Sequence, residues 1–167
     1  MRNWTVAGGL VESDAGLLLV QNRRRNGSFD WSPPGGVIEV AEGESVVDGL
    51  TREVQEETGL LVSEWVGPLY EVQADAPELG WSMRASVYLA TAYQGELVVD
   101  DPDGIVVDAC FVPVDQCAVH LAQCHQWVRE PLAEWLELRW SHTESRAPFG
   151  YRVDGADLAS LTVTRLG

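Results

Sequence analysis

An α/β domain, with a mixed β-sheet held between helices, is what the order of patterns along this 167-residue chain predicts. Three observations carry that expectation. Strand-like apolar runs come first, over residues 4–11 and 17–21. A segment of helical period follows and stops at Gly59. Extended runs then return between residues 61 and 114, with further helical stretches beyond them. Residues 1–167 read as one domain, long enough to bury a core, with no internal repeat, low-complexity tract or linker.

Taken in order, residues 4–11 are a strand, Asp14, Ala15 and Gly16 a turn, and residues 17–21 a second strand, so the pair reads as a hairpin. Arg23, Arg24 and Arg25 follow, three of only 11 basic residues. Such a run is often a solvated strand end. Placed just before a glycine turn, it is also a candidate grip for phosphate oxygens. Residues 26–28 are a loop. Trp31 reads as packing under the turn formed by Pro33, Pro34, Gly35 and Gly36, which leads towards a helix. Ser45 is that helix's N-cap, with Asp48 completing a capping box, and Gly59 its left-handed terminus. Val46, Val47, Leu50 and Val54 form its core-facing stripe. Residues 61–67, 69–73 and 81–93 are extended, with a loop over 74–80. Residues 100–104 are an acidic loop and 105–114 another strand. Residues 118–128 and 131–140 are helical, Pro131 opening a new helix. Trp127, Leu132, Trp135 and Leu136 make a stripe that faces either the core or a dimer partner. Residues 149–153 and 161–165 form a last hairpin.

The formal charge is −15, from 26 acidic and 11 basic residues. That argues against non-specific binding to nucleic acid. No apolar run approaches a membrane span, and no signal peptide is read at the start. The three cysteines are an odd number and fit a reducing compartment, so a cytoplasmic location is expected. Cys117, His120 and Cys124 have helix-compatible metal spacing. Three ligands are too few to prefer zinc over buried core cysteines.

The chemistry concentrates on Glu53, Glu56 and Glu57, spaced i, i+3 and i+4 on one helix face. Most glutamate clusters on helices are solvated faces. Three crowded carboxylates repel one another unless a cation sits among them, and hard oxygen ligands suit Mg²⁺ or Mn²⁺.

Residues 36–60 as a whole resemble the Nudix box, the signature of hydrolases acting on nucleoside diphosphates linked to another moiety. Residues 52–60, REVQEETGL, match the REUxEExGU part at every specified position, U being aliphatic. Glu44 fills the earlier glutamate position, and the loop after Gly36 carries a two-residue insertion. Counting from the glycine would choose Glu42 instead; the helix register favours Glu44. The resemblance implies an α/β/α sandwich. It implies that Glu53, Glu56, Glu57 and the Gly35 carbonyl bind one to three Mg²⁺ or Mn²⁺ ions, and that Arg52 orients a box carboxylate, Glu56 or Glu44. A later carboxylate often serves such enzymes as ligand or base: Asp101, Asp103 and Asp108 are candidates, with Asp103 preferred. Arg23, Arg24, Arg25 and Trp81 are the candidate substrate contacts, Trp81 and Tyr70 by stacking. The implied substrate is a small nucleotide, either a nucleoside triphosphate or an ADP-ribose or nucleotide-sugar type compound. The rival class is a Nudix-fold nucleotide-binding sensor without turnover.

Overall fold

The computed structural model describes all 167 residues. Ten strands and three α-helices build two sheets between two helical layers. Strands β1 (Arg2–Leu10), β5 (Gly35–Val37), β6 (Leu61–Ala76), β7 (Trp81–Gln94), β9 (Phe149–Asp154) and β10 (Thr162–Leu166) form a six-stranded sheet in the order β10-β9-β6-β7-β1-β5. It is mixed: β1–β7 and β6–β9 are parallel, the other pairs antiparallel. A second, antiparallel sheet centres on β3 (Gly16–Arg23). It takes β8 (Val106–Val112) on one edge, and β2 (Glu12–Ser13) and β4 (Phe29–Ser32) on the other.

Strand alternation explains the layers, because successive side chains point to opposite faces. In β3, Leu18 and Val20 join one buried cluster with Leu50 and Val54 of α1 (Val46–Thr58). Leu17 and Leu19 join the other, with Trp127, Leu132 and Trp135 of α3 (Gln126–Leu138) and Cys117 of the one-turn α2 (Cys117–His120). The expected arrangement of a mixed sheet packed between helices is therefore present, with a second sheet added to it.

Several local expectations are corrected. Residues 4–11 and 17–21 do not stay paired: β1 and β3 part into different sheets, and only the short β2–β3 ladder remains of the hairpin. Gly35 and Gly36 lie in β5, not in a turn, because β1 offers a partner edge at Ala7 and Gly8. Val47 is 39% exposed and lies off the core stripe, whereas Leu50 and Val54 are fully buried. Pro131 sits inside α3, where burial with Trp127, Leu132 and Trp135 outweighs the lost backbone donor. That stripe faces the chain's own core rather than a dimer partner. Residues 118–128 make α2 and a 3-10 turn before α3 instead of one helix. No helix is long and apolar enough to cross a membrane.

Candidate active site

Helix α1 presents the acidic residues, and its ends are fixed as its sequence requires. Ser45 Oγ accepts from the Asp48 N–H at 3.1 Å, and Gly59 closes the helix at φ 80°. Between these ends Arg52 gathers three carboxylates. Its Nε and Nη2 hold Glu44 at 2.8 and 3.0 Å, and its Nη1 donates to Glu53 at 3.0 Å and Glu56 at 3.3 Å. Glu44 Oε1 also accepts from the Glu39 N–H at 3.0 Å, which ties the inserted loop to the helix. Arg52 holds the Glu44 carboxyl down to about 2. Glu42 is exposed in a 3-10 turn of that loop, so Glu44 is the glutamate that the fold joins to Arg52.

The glycine strand lies against the same face. Alternation in the β1–β5 ladder spends the backbone groups of residues 34, 36 and 38 on β1 and leaves those of Gly35 free of it. The Gly35 N–H donates instead to Glu57 Oε2 at 3.2 Å. Gly35 is required by the backbone beside it, whereas Gly36 faces only the end of a side chain. A Cβ on Gly35, at φ 153°, would stand 2.1 Å from the Ala7 carbonyl oxygen, and one on Gly36 would stand 2.9 Å from Glu53 Cδ.

Glu57 is only 8% exposed, and no arginine reaches it. Burial pushes its carboxyl up to about 9; the charges of Glu53, Asp101 and Glu56 add to this, against the Gly35 N–H. Burial also raises Glu53, with Arg52 opposing. A buried carboxylate with one backbone donor and acidic neighbours is a group that a hard cation would stabilise. The donor set thus fits Mg²⁺ or Mn²⁺. As the side chains stand, no three carboxylates are gathered into a ready ligand set. Glu57 is turned to Gly35, while Glu53 and Glu56 are both turned to Arg52.

A cavity of about 560 Å³ opens beside these groups. Glu53, Glu57, Gly35 and Gly36 line one end, while Tyr70, Val72, Met83, Ala85, Val87 and Trp127 make an apolar wall. Asp101 and Asp103 both reach the cavity. Asp101 is spent on its own loop, accepting from the N–H groups of Asp103, Ile105 and Val106 at 2.9–3.1 Å. Asp103 has no such engagement. Asp108 lies on β8 outside the cavity and accepts from the Ala109 N–H.

Of the three arginines only Arg24 lines the cavity. Arg23 lies over Phe29, and Arg25 is exposed. Trp81 packs edge-on against Trp127 with ring centroids 5.9 Å apart and does not line the cavity; Tyr70 does. Cys117, His120 and Cys124 are not brought together as ligands. The Cys117 thiol faces the Val112 carbonyl, and His120 packs edge-on against Trp31. Sequence reasoning passed over Asn22, Ser32, Met83 and Val128 as cavity residues. Asn22 carried a usable signal: a polar residue at the end of an otherwise buried strand, 7% exposed.

A family model described as the NUDIX domain matches residues 2–136. Nudix hydrolase YvcI of Bacillus subtilis (strain 168) is 30% identical over 97 residues, a match spanning 57% of this chain and 58% of that protein. Among solved structures, a MutT NUDIX hydrolase from Burkholderia pseudomallei aligns with TM-score 0.62 at 25% identity, covering 82% of this chain and 98% of that one. The E. coli ORF135 protein aligns with TM-score 0.68 at 19% identity, covering 87% and 96%, and shows the same fold. With residues 2–136 of 167 inside that family's model, the chain belongs to the Nudix hydrolase family.

Proposed function

We propose that this protein is a Mg²⁺- or Mn²⁺-dependent hydrolase that cleaves the pyrophosphate link of a nucleoside diphosphate derivative. One observation carries the reading: the buried Glu57 carboxylate, beside Glu53 and the Gly35 backbone, has no cationic partner from the chain itself. Glu53, Glu56, Glu57 and the Gly35 carbonyl are the groups that would hold the ion, with Asp103 as a further ligand or as the base. When bound, the ion supplies activation of water and neutralisation of phosphate charge.

The chain's own residues do the rest. Arg52 orients Glu53 and fixes the inserted loop through Glu44. Arg24 offers the only guanidinium on the cavity wall. The apolar wall of Tyr70, Val72, Met83, Ala85, Val87 and Trp127 offers a surface for the organic half of the substrate. Two substrate classes fit this arrangement: a nucleoside triphosphate cleaved to monophosphate and pyrophosphate, or an ADP-ribose or nucleotide-sugar type diphosphate. A sensor without turnover is disfavoured because Arg52, Glu53, Glu56 and Glu57 are all retained on one helix.

The test is phosphate release, coupled to a pyrophosphatase or a phosphatase, across triphosphates, nucleotide sugars, ADP-ribose and dinucleotides with Mg²⁺ and then Mn²⁺. Turnover of one class by the wild type, lost in Glu57→Gln, supports the reading. Nucleotide binding without release in the wild type would replace it with the sensor.

A further inference from the structure

The cavity that Glu53 and Glu57 line also carries, at Asn22, Arg24 and Ser32, a hydrogen-bond network built on a second buried carboxylate. Asp30 is 8% exposed. Its Oδ2 accepts from Arg24 Nε at 2.6 Å, and its Oδ1 accepts from Arg24 Nη2 at 2.8 Å and Asn22 Nδ2 at 3.0 Å. Asn22 Nδ2 also donates to Ser32 Oγ at 2.9 Å. Both amide hydrogens of Asn22 are thereby spent. The opposite amide orientation would set its carbonyl oxygen against the Asp30 carboxylate, so the network fixes which way the amide faces.

Two consequences follow for the cavity, which Asn22, Arg24 and Ser32 all line. Asn22 Oδ1 accepts from no group of the protein, although the residue is only 7% exposed. Arg24 keeps Nη1 and one Nη2 hydrogen free while Asp30 anchors the other side of its guanidinium and offsets its charge. An acceptor fixed beside donors is a poor seat for phosphate oxygens, which only accept. It complements an edge that accepts and donates side by side, as the hydrogen-bonding edge of every nucleobase does.

We propose that Asn22 and Arg24 form a base-reading edge, in which Arg24 donates to a ring or carbonyl acceptor of the nucleobase and Asn22 Oδ1 accepts its neighbouring N–H. The triple-arginine segment then serves recognition of the base through Arg24, not of the phosphates. Asp30 and Ser32 are positioning residues for this edge. The proposal rests on the hydrolase reading only for the identity of the site.

Binding in metal-free buffer separates the two. Calorimetric titration compares nucleoside 5′-monophosphates with ribose 5-phosphate, in the wild type and in Asn22→Ala. The wild type should prefer at least one nucleotide. Asn22→Ala should reduce the ratio of nucleotide to ribose 5-phosphate affinity by about fivefold to tenfold, the value of one lost buried hydrogen bond. If a thermal melt shows that Asn22→Ala does not fold, Arg24→Lys takes its place and should reduce the same ratio. No preference in the wild type, or equal weakening of both ligands by the substitution, overturns the proposal. A clear preference in a protein that releases no phosphate with any metal would sink the hydrolase reading and leave the base-reading edge standing.

Discussion

Gly36 and Glu57 show how single atoms govern this site. A Cβ on Gly36 would meet the Glu53 carboxyl group, the mobile end of a side chain, at 2.9–3.2 Å. The substitution Gly36→Ala is therefore expected to leave the fold intact but displace Glu53, lowering metal-dependent turnover well over tenfold while the melting temperature moves little. A melting temperature that collapses along with activity would show the glycine to be structural instead. For Glu57 the sign follows from the direction of its shift. The carboxyl lies at about 9 in the folded metal-free chain, against about 4.3 in an unfolded one. Stability from this group is fully present below the lower value and is lost as pH rises through the folded one. In EDTA, Glu57→Gln should melt like the wild type near pH 4 and increasingly above it from pH 5 to 9. At pH 8, Mg²⁺ should raise the melting temperature of the wild type alone. Wild type and variant melting together throughout that range would show that Glu57 carries no such burden. The acidic triad was legible because helical spacing puts Glu53, Glu56 and Glu57 on one face and the resemblance of residues 36–60 singles that face out from an ordinary solvated one. The Arg24–Asp30–Asn22 network was not, since it is assembled across a β3–β4 register that residue types alone do not reveal.

Helix α1 was the most legible element, and its reasons are local: an N-cap, a terminal glycine and a helical period. The error on it, Val47, arose where two adjacent valines both fit a broad stripe and only packing decides between them. Strand β5 was hidden for the opposite reason. Its glycines and the two prolines before it favour a turn by local chemistry, while its pairing with Val6, Ala7 and Gly8 is a contact between distant segments. Gly49 couples these scales. In an exposed helix interior, alanine is better than glycine by about 1 kcal/mol. Here a Cβ would stand 2.7 Å from Ile38 Cδ1 and 2.8 Å from Glu44 Oε1, the partner of Arg52. Gly49→Ala should thus destabilise the protein despite its better helix propensity and should weaken turnover through Glu44. A urea melt with an unchanged or higher midpoint would refute that.

A mixed sheet between helices was readable from the order of the elements, and the sandwich from the resemblance of residues 36–60, but the division into two sheets was not, because it depends on where β1 and β3 separate. The same long-range logic governs the last 31 residues, 137–167, which lie beyond the region matched by the family model. They are not an appendage. Trp140, Tyr151 and Val153 are buried in the larger core, and the Trp140 indole N–H donates to the Leu69 carbonyl at 2.6 Å. Strand β9 covers the β6 edge in parallel, and β10 covers β9. Fully burying a large apolar side chain contributes about 1.5–3 kcal/mol. Losing three of them removes an amount comparable to the ~5–15 kcal/mol by which a domain is stable. It also bares the β6 edge, a template for aggregation. Truncation after Leu138 should therefore yield a chain without a cooperative thermal transition that elutes as aggregate in size-exclusion chromatography, even though it keeps every residue of the proposed metal and base-reading sites. A truncated chain that melts cooperatively as a monomer would show that the hairpin is dispensable and that the core closes without it.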